Sequence, residues 1–329
     1  MQVVLIDGRN ACYKNAYVGR HLRSGDGEET GAIHGVLMGL QAIKHKMPDA
    51  KFVVVWDGLN TAHSWRNKLF PDYKSNRRGE LPADVKALRA SVNRQIGQIK
   101  TLFDAISVAQ IEIAELEADD VVGILSEKCV ARGWPVSIYS SDQDYLQLMP
   151  FGARIMPHAS GNFIQERDIA AKWHCSSADL LKLRALLGDK SDGIPRAVSG
   201  VGPVAAARYI EAGVDPSVEL FSTLPRQTRM EAERLESYWP TIHMNWCLMK
   251  IVRSCSDPAL PASVVPQVVT ATRRVLKELA STAPRSRESY DAMIALFAGM
   301  DLSSAMENRR EIWRLQAVRD GNSQRAKIN

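Results

Sequence analysis

The chain has 329 residues, of which 45% are hydrophobic and 24% charged, with a formal net charge of +5; this composition excludes disordered and fibrous classes and leaves room for about two packed domains. No apolar run approaches the roughly 18 residues of a membrane span, and the apolar start MQVVLI meets Asp7 at once, so an intracellular, cytoplasmic chain with no membrane partner is expected. The five cysteines, Cys12, Cys129, Cys175, Cys247 and Cys255, are odd in number and never in C-x-x-C spacing, which argues for reduced thiols over a disulfide framework or zinc site.

In chain order, the first half alternates short apolar runs with helical stretches, the pattern of a mostly parallel sheet flanked by helices. VVLID (3–7) reads as the first strand. GAIHGVLMGLQAIKHKM then places Ile33, Val36, Leu37, Leu40 and Ile43 on one helical face. FVVVWD (52–57), the run into IEIAEL (111–116) and VSIYSSD (136–142) read as further strands. From Thr61 to Lys100, nine Lys or Arg stand against Asp72, Glu80 and Asp84; such a stretch suits a phosphate backbone and equally suits a solvated helix face. After about residue 165 the chain turns helical, and Pro258, Pro261 and Pro266 punctuate a linker or boundary before a last helical, Arg-rich segment. The expected organisation is an α/β core over 1–165, a helical region over 166–260 and a C-terminal helical extension over 261–329.

Ligands of open parallel sheets gather at the carboxyl ends of the strands. Asp7 ends VVLID, Asp57 ends FVVVWD, Glu117 follows IEIAEL and Asp142 ends VSIYSSD, so four strands deliver carboxylates to one edge. Each has an ordinary explanation: Asp119 and Asp120 in LEADDVVG suit a helix N-terminus, and Asp7 with Gly8 suits a turn. Two further pairs weaken that explanation, Asp142 with Asp144 in SSDQDYLQL and Asp189 with Asp192 in LLGDKSDGIP. Hard oxygen donors in this number are what Mg²⁺ or Mn²⁺ requires, and two ions about 3.5–4 Å apart are the arrangement for in-line phosphoryl displacement. The seven histidines form no ligand-spaced pair.

Over about residues 1–215 these motifs resemble the 5′ nuclease family: the 5′→3′ exonuclease domain of bacterial DNA polymerase I, bacteriophage 5′ nucleases and flap endonucleases. LEADDVVG is similar to the family's E-A-D-D signature, SSDQDYLQL to G-D-x-D-x-x-Q-L, and GDKSDGIP to G-D-x-x-D-N-I-P; IDGRNACYK and VVWDG match two upstream Asp motifs. The resemblance implies a PIN-like α/β core. It assigns Asp7, Asp57, Glu117, Asp119 and Asp120 to a first metal region and Asp142, Asp144, Asp189 and Asp192 to a second. The metals would be two Mg²⁺ ions, with Mn²⁺ as substitute.

WRNKLFPDYKSNRRGELP resembles the family's helical arch, here about 63–100, under or through which a single 5′ strand passes. By that resemblance Lys74 and Arg77 act on the scissile phosphate, Asp120 joins them as a catalytic residue, and Lys14 and Arg66 lie near phosphates. Tyr73 could stack on a base. SGVGPVAAARYI places Gly200 and Gly202 before an Ala-rich helix, an arrangement open to a phosphate and similar to the helix-three-turn-helix that grips duplex DNA and binds a potassium ion. The sequence departs from the family pattern at Gly193, where Asn is usual, and at Arg196, in a longer GIPRAVSGVG loop. Beyond about residue 260 the resemblance fades, and RRVLKELA and NRREIWRLQAVR read as amphipathic surface helices.

The expected function is therefore a metal-dependent, structure-specific 5′ nuclease, acting as 5′→3′ exonuclease and 5′-flap endonuclease on DNA flaps, nicks and single-strand/duplex junctions. A monomer is expected, free-standing like those that phages encode, in a bacterium or an infected bacterial host. The alternatives are removal of RNA primers from RNA/DNA hybrid and a catalytically inactive structure-specific DNA-binding protein.

Overall fold

Five strands, β1 (Gln2–Asp7), β2 (Ala50–Trp56), β3 (Ala109–Glu112), β4 (Val136–Tyr139) and β5 (Ala153–Met156), pair in the order β3-β2-β1-β4-β5, every neighbour parallel. The structure is a computed structural model that describes residues 1–281 apart from 26, 78, 81, 159 and 160. Between the strands run α1 (Gly8–Val18), α2 (Gly31–Lys46), α3 (Trp65–Leu69), α4 (Ala83–Ala105) and α5 (Ala118–Val130). After them come α6 (Glu166–Trp173), α7 (Leu180–Leu187), α8 (Pro203–Glu211), α9 (Arg226–Ala232), α10 (Trp239–Met249) and α11 (Val265–Ala280).

The strands are apolar on both sides because both faces are covered. Alternate residues divide between two cores: Val3, Leu5, Val53, Val55 and Ile111 pack with α5 and α11, while Val4, Ile6, Val54 and Trp56 pack with α1, α2 and α4. Ile33, Val36, Leu37, Leu40 and Ile43 all point into the second of these cores, as their helical spacing requires. A third core, from Leu183 to Ile242, belongs to the helical region.

Three expectations about elements change. The strand expected over 111–116 occupies Ala109–Glu112, because Glu115 takes a left-handed conformation (φ 63°) that breaks the extended run. The strand β5 has no counterpart in the sequence reading. The prolines at 258–266 do not mark a loose linker: Leu260 and Val264 are buried in the first core, and Pro266 lies in the first turn of α11, where its missing N–H costs nothing. RRVLKELA forms the end of α11, its Val275, Leu276 and Leu279 packed into the same core. NRREIWRLQAVR lies outside the described residues.

The connections diverge at β1, which has β2 on one side and β4 on the other. In an open parallel sheet this switch point is where a crevice forms. Asp7 ends β1 and Asp142 lies just beyond β4.

Candidate active site

At the switch point Asp7 caps α1, one carboxylate oxygen accepting from the Asn10 amide at 3.0 Å and the other from the Tyr145 hydroxyl at 3.1 Å. It is buried, and burial together with the negative charges of Asp57 and Asp142 pushes its pKa up to about 7. Asp57 accepts the Ala118 amide at 2.9 Å at the start of α5. Asp142 caps the short helix over 143–151; burial and the charge of Asp144 raise it to about 6. Asp7 and Asp142 are thus crowded enough to resist ionisation.

Glu117, Asp119 and Asp120 open α5, where the helix dipole favours acids, yet their surroundings differ. Glu117 accepts from Lys74 Nζ and from the Tyr73 hydroxyl, both at 2.9 Å; burial alone would raise its pKa, but Lys74 and Arg66 hold it below the usual range. Asp119 is pushed well up by burial, against the pull of Arg66 at 3.5 Å. Asp120 has no exposure, and four donors fill its oxygens: Arg66 twice, at 2.7 and 2.9 Å, the Trp65 indole at 2.9 Å and the Val252 amide at 2.9 Å. The expectation that Asp120 is a catalytic and metal-holding residue is corrected on that ground: its donors leave no side for an ion.

Arg66 is likewise corrected. Expected near a DNA phosphate, it is 1% exposed and binds the main chain at Leu248 (2.8 Å) and Lys250 (3.0 Å) as well as Asp120. Tyr73, expected to stack on a base, is 2% exposed in a small core with Ile194, Leu248 and Met249. Lys14 remains on the exposed side of α1, close enough to help lower the half-buried His158 to about 4, after desolvation itself.

The segment YKSNR lies against GDKSDG. Lys74 donates its amide to the Asp192 carbonyl at 2.8 Å, and its Nζ stands 3.6 Å from the Asp192 carboxylate while also bonding Glu117. Burial would lower the Lys74 pKa; Glu117 and Asp192 outweigh it and raise it. Arg77 pairs with Asp192, and Asn76 donates to the carbonyls of Lys190 (3.3 Å) and Ser191 (3.2 Å). Gly193 follows in the left-handed region (φ 71°), and a Cβ there would meet the Asp72 carbonyl oxygen at 3.2 Å. Glycine at this departure from the family pattern therefore lets the two segments approach.

Arg184, absent from the sequence reading, pairs with Asp144 and, at 2.6 Å, with Asp189. The signal was an arginine flanked by Leu183, Ala185, Leu186 and Leu187 in LLKLRALL, a position that must bury its charge with partners. Gly200 (φ 75°) and Gly202 precede α8 with open space around both; Arg196 donates to the Val201 carbonyl at 2.8 Å inside this loop.

Among the described residues no three His, Cys, Asp or Glu side chains are arranged to enclose a metal ion; lysines and arginines neutralise many of the acids. The donor chemistry still fits hard divalent cations, because Asp7, Asp57 and Asp142 retain a mutual repulsion that a cation would relieve.

The all-parallel sheet with carboxylates at its switch point defines a PIN-like nuclease fold. The T5 5′-exonuclease with bound divalent metal ions (zinc) has the same fold, with a TM-score of 0.68 at 18% identity, covering 84% of this chain and 99% of that one. A second T5 structure, the D15 protein co-crystallised with metal ions, gives 0.67 at 18% identity over 85% and 100%. The sequence model of the 5′-3′ exonuclease N-terminal, resolvase-like domain matches residues 2–174. The 5′-3′ exonuclease of Buchnera aphidicola subsp. Schizaphis graminum is 26% identical over 85% of this chain and 94% of its own length; that of Aquifex aeolicus is 30% identical over 63% and 68%. DNA polymerase I of Pseudomonas aeruginosa is 30% identical over 68% of this chain, which spans 23% of that enzyme. The chain belongs to the 5′-3′ exonuclease family. Among the described residues no helix is long and apolar enough to cross a membrane.

Proposed function

We propose that this chain is a divalent-metal-dependent 5′ nuclease that hydrolyses DNA phosphodiesters at single-strand/duplex junctions, acting on 5′ flaps and nicks. The observation that carries the reading is Lys74: its Nζ stands between Glu117 and Asp192, joining the two acidic groups, and its side chain is 23% exposed. Asp7, Asp57, Glu117 and Asp119 would hold one Mg²⁺ and Asp142, Asp144, Asp189 and Asp192 the other; Mn²⁺ would serve. Two such ions would neutralise the phosphate and lower the pKa of the attacking water.

The chain's own residues do the rest. Lys74 and Arg77 bind the scissile phosphate and stabilise charge growing on its oxygens, a contribution that removal of one donor typically cuts by about 10²–10³ in rate. Lys14 adds a phosphate contact. The Gly200/Gly202 turn offers α8 amides to the duplex backbone, and contacts of this kind position without reading sequence. A potassium ion would occupy the same turn. Residues 1–165, together with Asp189 and Asp192, thus cut, and the remainder of 166–260 grips.

The test is a 5′-flap duplex labelled at its 5′ end. With Mg²⁺ the cut is expected within a nucleotide or so of the junction, with chelator abolishing it; a protein that binds this DNA in Mg²⁺ and leaves it whole is not the nuclease proposed.

A further inference from the structure

The cations that neutralise the acidic groups are of two kinds. Lys74 and Arg77 come from turn residues and are partly exposed, Arg77 by 49%, so they can turn from carboxylate to phosphate. Arg184 cannot. It sits on α7 with a side chain 9% exposed, and its neighbours Leu183, Ala185 and Leu186 are fixed in the core of the helical region. Its two Nη atoms reach carboxylates from two separate elements, Asp144 in the short helix over 143–151 and Asp189 at the head of the 190–192 turn. A planar fork that spans two carboxylates is a geometry that lysine cannot reproduce.

We propose that Arg184 is a positioning residue that acts as a resident cation of the second acidic group, holding Asp144 and Asp189 in register and competing with a divalent ion for them. This rests on the reading of Asp142, Asp144, Asp189 and Asp192 as metal-holding residues. With Arg184 in place the group's four negative charges are offset by one that never leaves, so a divalent ion gains less there than the number of acids implies. Arg184 also sets the spacing: Asp144 lies 40 residues before it and Asp189 five after. A residue that only stapled these elements together would have the opposite signature, since its loss would splay the carboxylates and weaken ion binding.

The experiment is a Mn²⁺ titration of the full chain without DNA, free Mn²⁺ being read by electron paramagnetic resonance, on wild type, Arg184→Gln and Arg184→Lys, each checked by circular dichroism. Arg184→Gln is expected to bind Mn²⁺ roughly tenfold more tightly at its weaker class of site, within the span of coupling between contacting groups, with Arg184→Lys in between. Affinity equal to or below wild type in Arg184→Gln overturns the proposal. If Arg184→Gln is unfolded without ions, recovery of its fold by Mn²⁺ supports the proposal; failure to recover, with Arg184→Lys no tighter than wild type, overturns it. A wild type that binds no Mn²⁺ sinks the metal reading itself, a separate failure.

Discussion

Asp7 and Asp120 are both buried aspartates, and their environments give them opposite roles. Asp120 is fully satisfied by Arg66, Trp65 and Val252, so Asp120→Asn breaks a buried ion pair. It should cost about 3–5 kcal/mol, seen by calorimetry as a large drop in Tm, while the folded fraction keeps wild-type Mn²⁺ affinity. Asp7 accepts hydrogen bonds on both oxygens but faces the negative charges of Asp57 and Asp142. Above about pH 4 the unfolded chain has released the Asp7 proton that the folded, metal-free chain keeps up to about pH 7, so stability falls as pH rises through that window. Asp142, raised to about 6 by burial and Asp144, adds to the same decline. Asp7→Asn should therefore match wild type near pH 4 but exceed it by about 1–3 kcal/mol near pH 8 in chelator, as thermal melts across pH would reveal, and lose nuclease activity. In sequence the acids of LEADDVVG look alike. What separates Asp120 from Glu117 is donors from residues 65 and 252 and the closer two-pronged bond from Arg66, which local spacing does not encode.

At the scale of elements, the YKSNR segment and the GDKSDG turn form one unit through main-chain and side-chain contacts from both sides. Gly193 closes it in the left-handed region (φ 71°). Gly193→Val should destabilise the protein by about 1–3 kcal/mol, since a β-branched side chain is strained in the left-handed region, and should loosen the register of Lys74; urea melts read the first effect and a fall in flap cleavage beyond that of the stability loss reads the second. Gly193→Asn should be far milder, because Asn tolerates this conformation. The sheet was legible wherever strands were long and apolar on both faces, as in β1 and β2. It was not at β5, whose four residues include the exposed Arg154, nor at β3, whose end is set by the Glu115 turn and its amide bond to the Leu59 carbonyl at 2.8 Å. The acids at the strand ends were legible because chain order and topology coincide there; Arg184, and the pairing of Arg66, Lys74 and Arg77 with the acids, were not, since those cations arrive from other elements.

For the whole molecule, the first core is closed by chain from both ends. Val3 and Leu5 share it with Val268, Val275, Leu276 and Leu279, and Lys51 Nζ donates to the carbonyls of Leu279 (2.6 Å) and Ser281 (2.7 Å) at the end of α11. Ending the chain at residue 260 removes these four side chains and Val264. At about 1.5–3 kcal/mol each the loss is comparable with the roughly 5–15 kcal/mol that hold a domain folded. The shortened protein should be insoluble or lack a cooperative melt by circular dichroism, although every acid of the candidate site is retained.

The strap from Leu248 to Val252, which ties Arg66 and Asp120 across sequence separations of 182 and 132 residues, has a consequence for biosynthesis. At about 5–20 residues per second, a ribosome that has finished α5 needs roughly 7–30 s more to deliver α11. Until α11 is delivered that face of the sheet has α5 but lacks Val268, Val275, Leu276 and Leu279, and for most of the interval Asp120 has no amide from Val252. The nascent core should therefore stay sensitive to protease until α11 has left the exit tunnel, as limited proteolysis of ribosome-bound chains of increasing length would show.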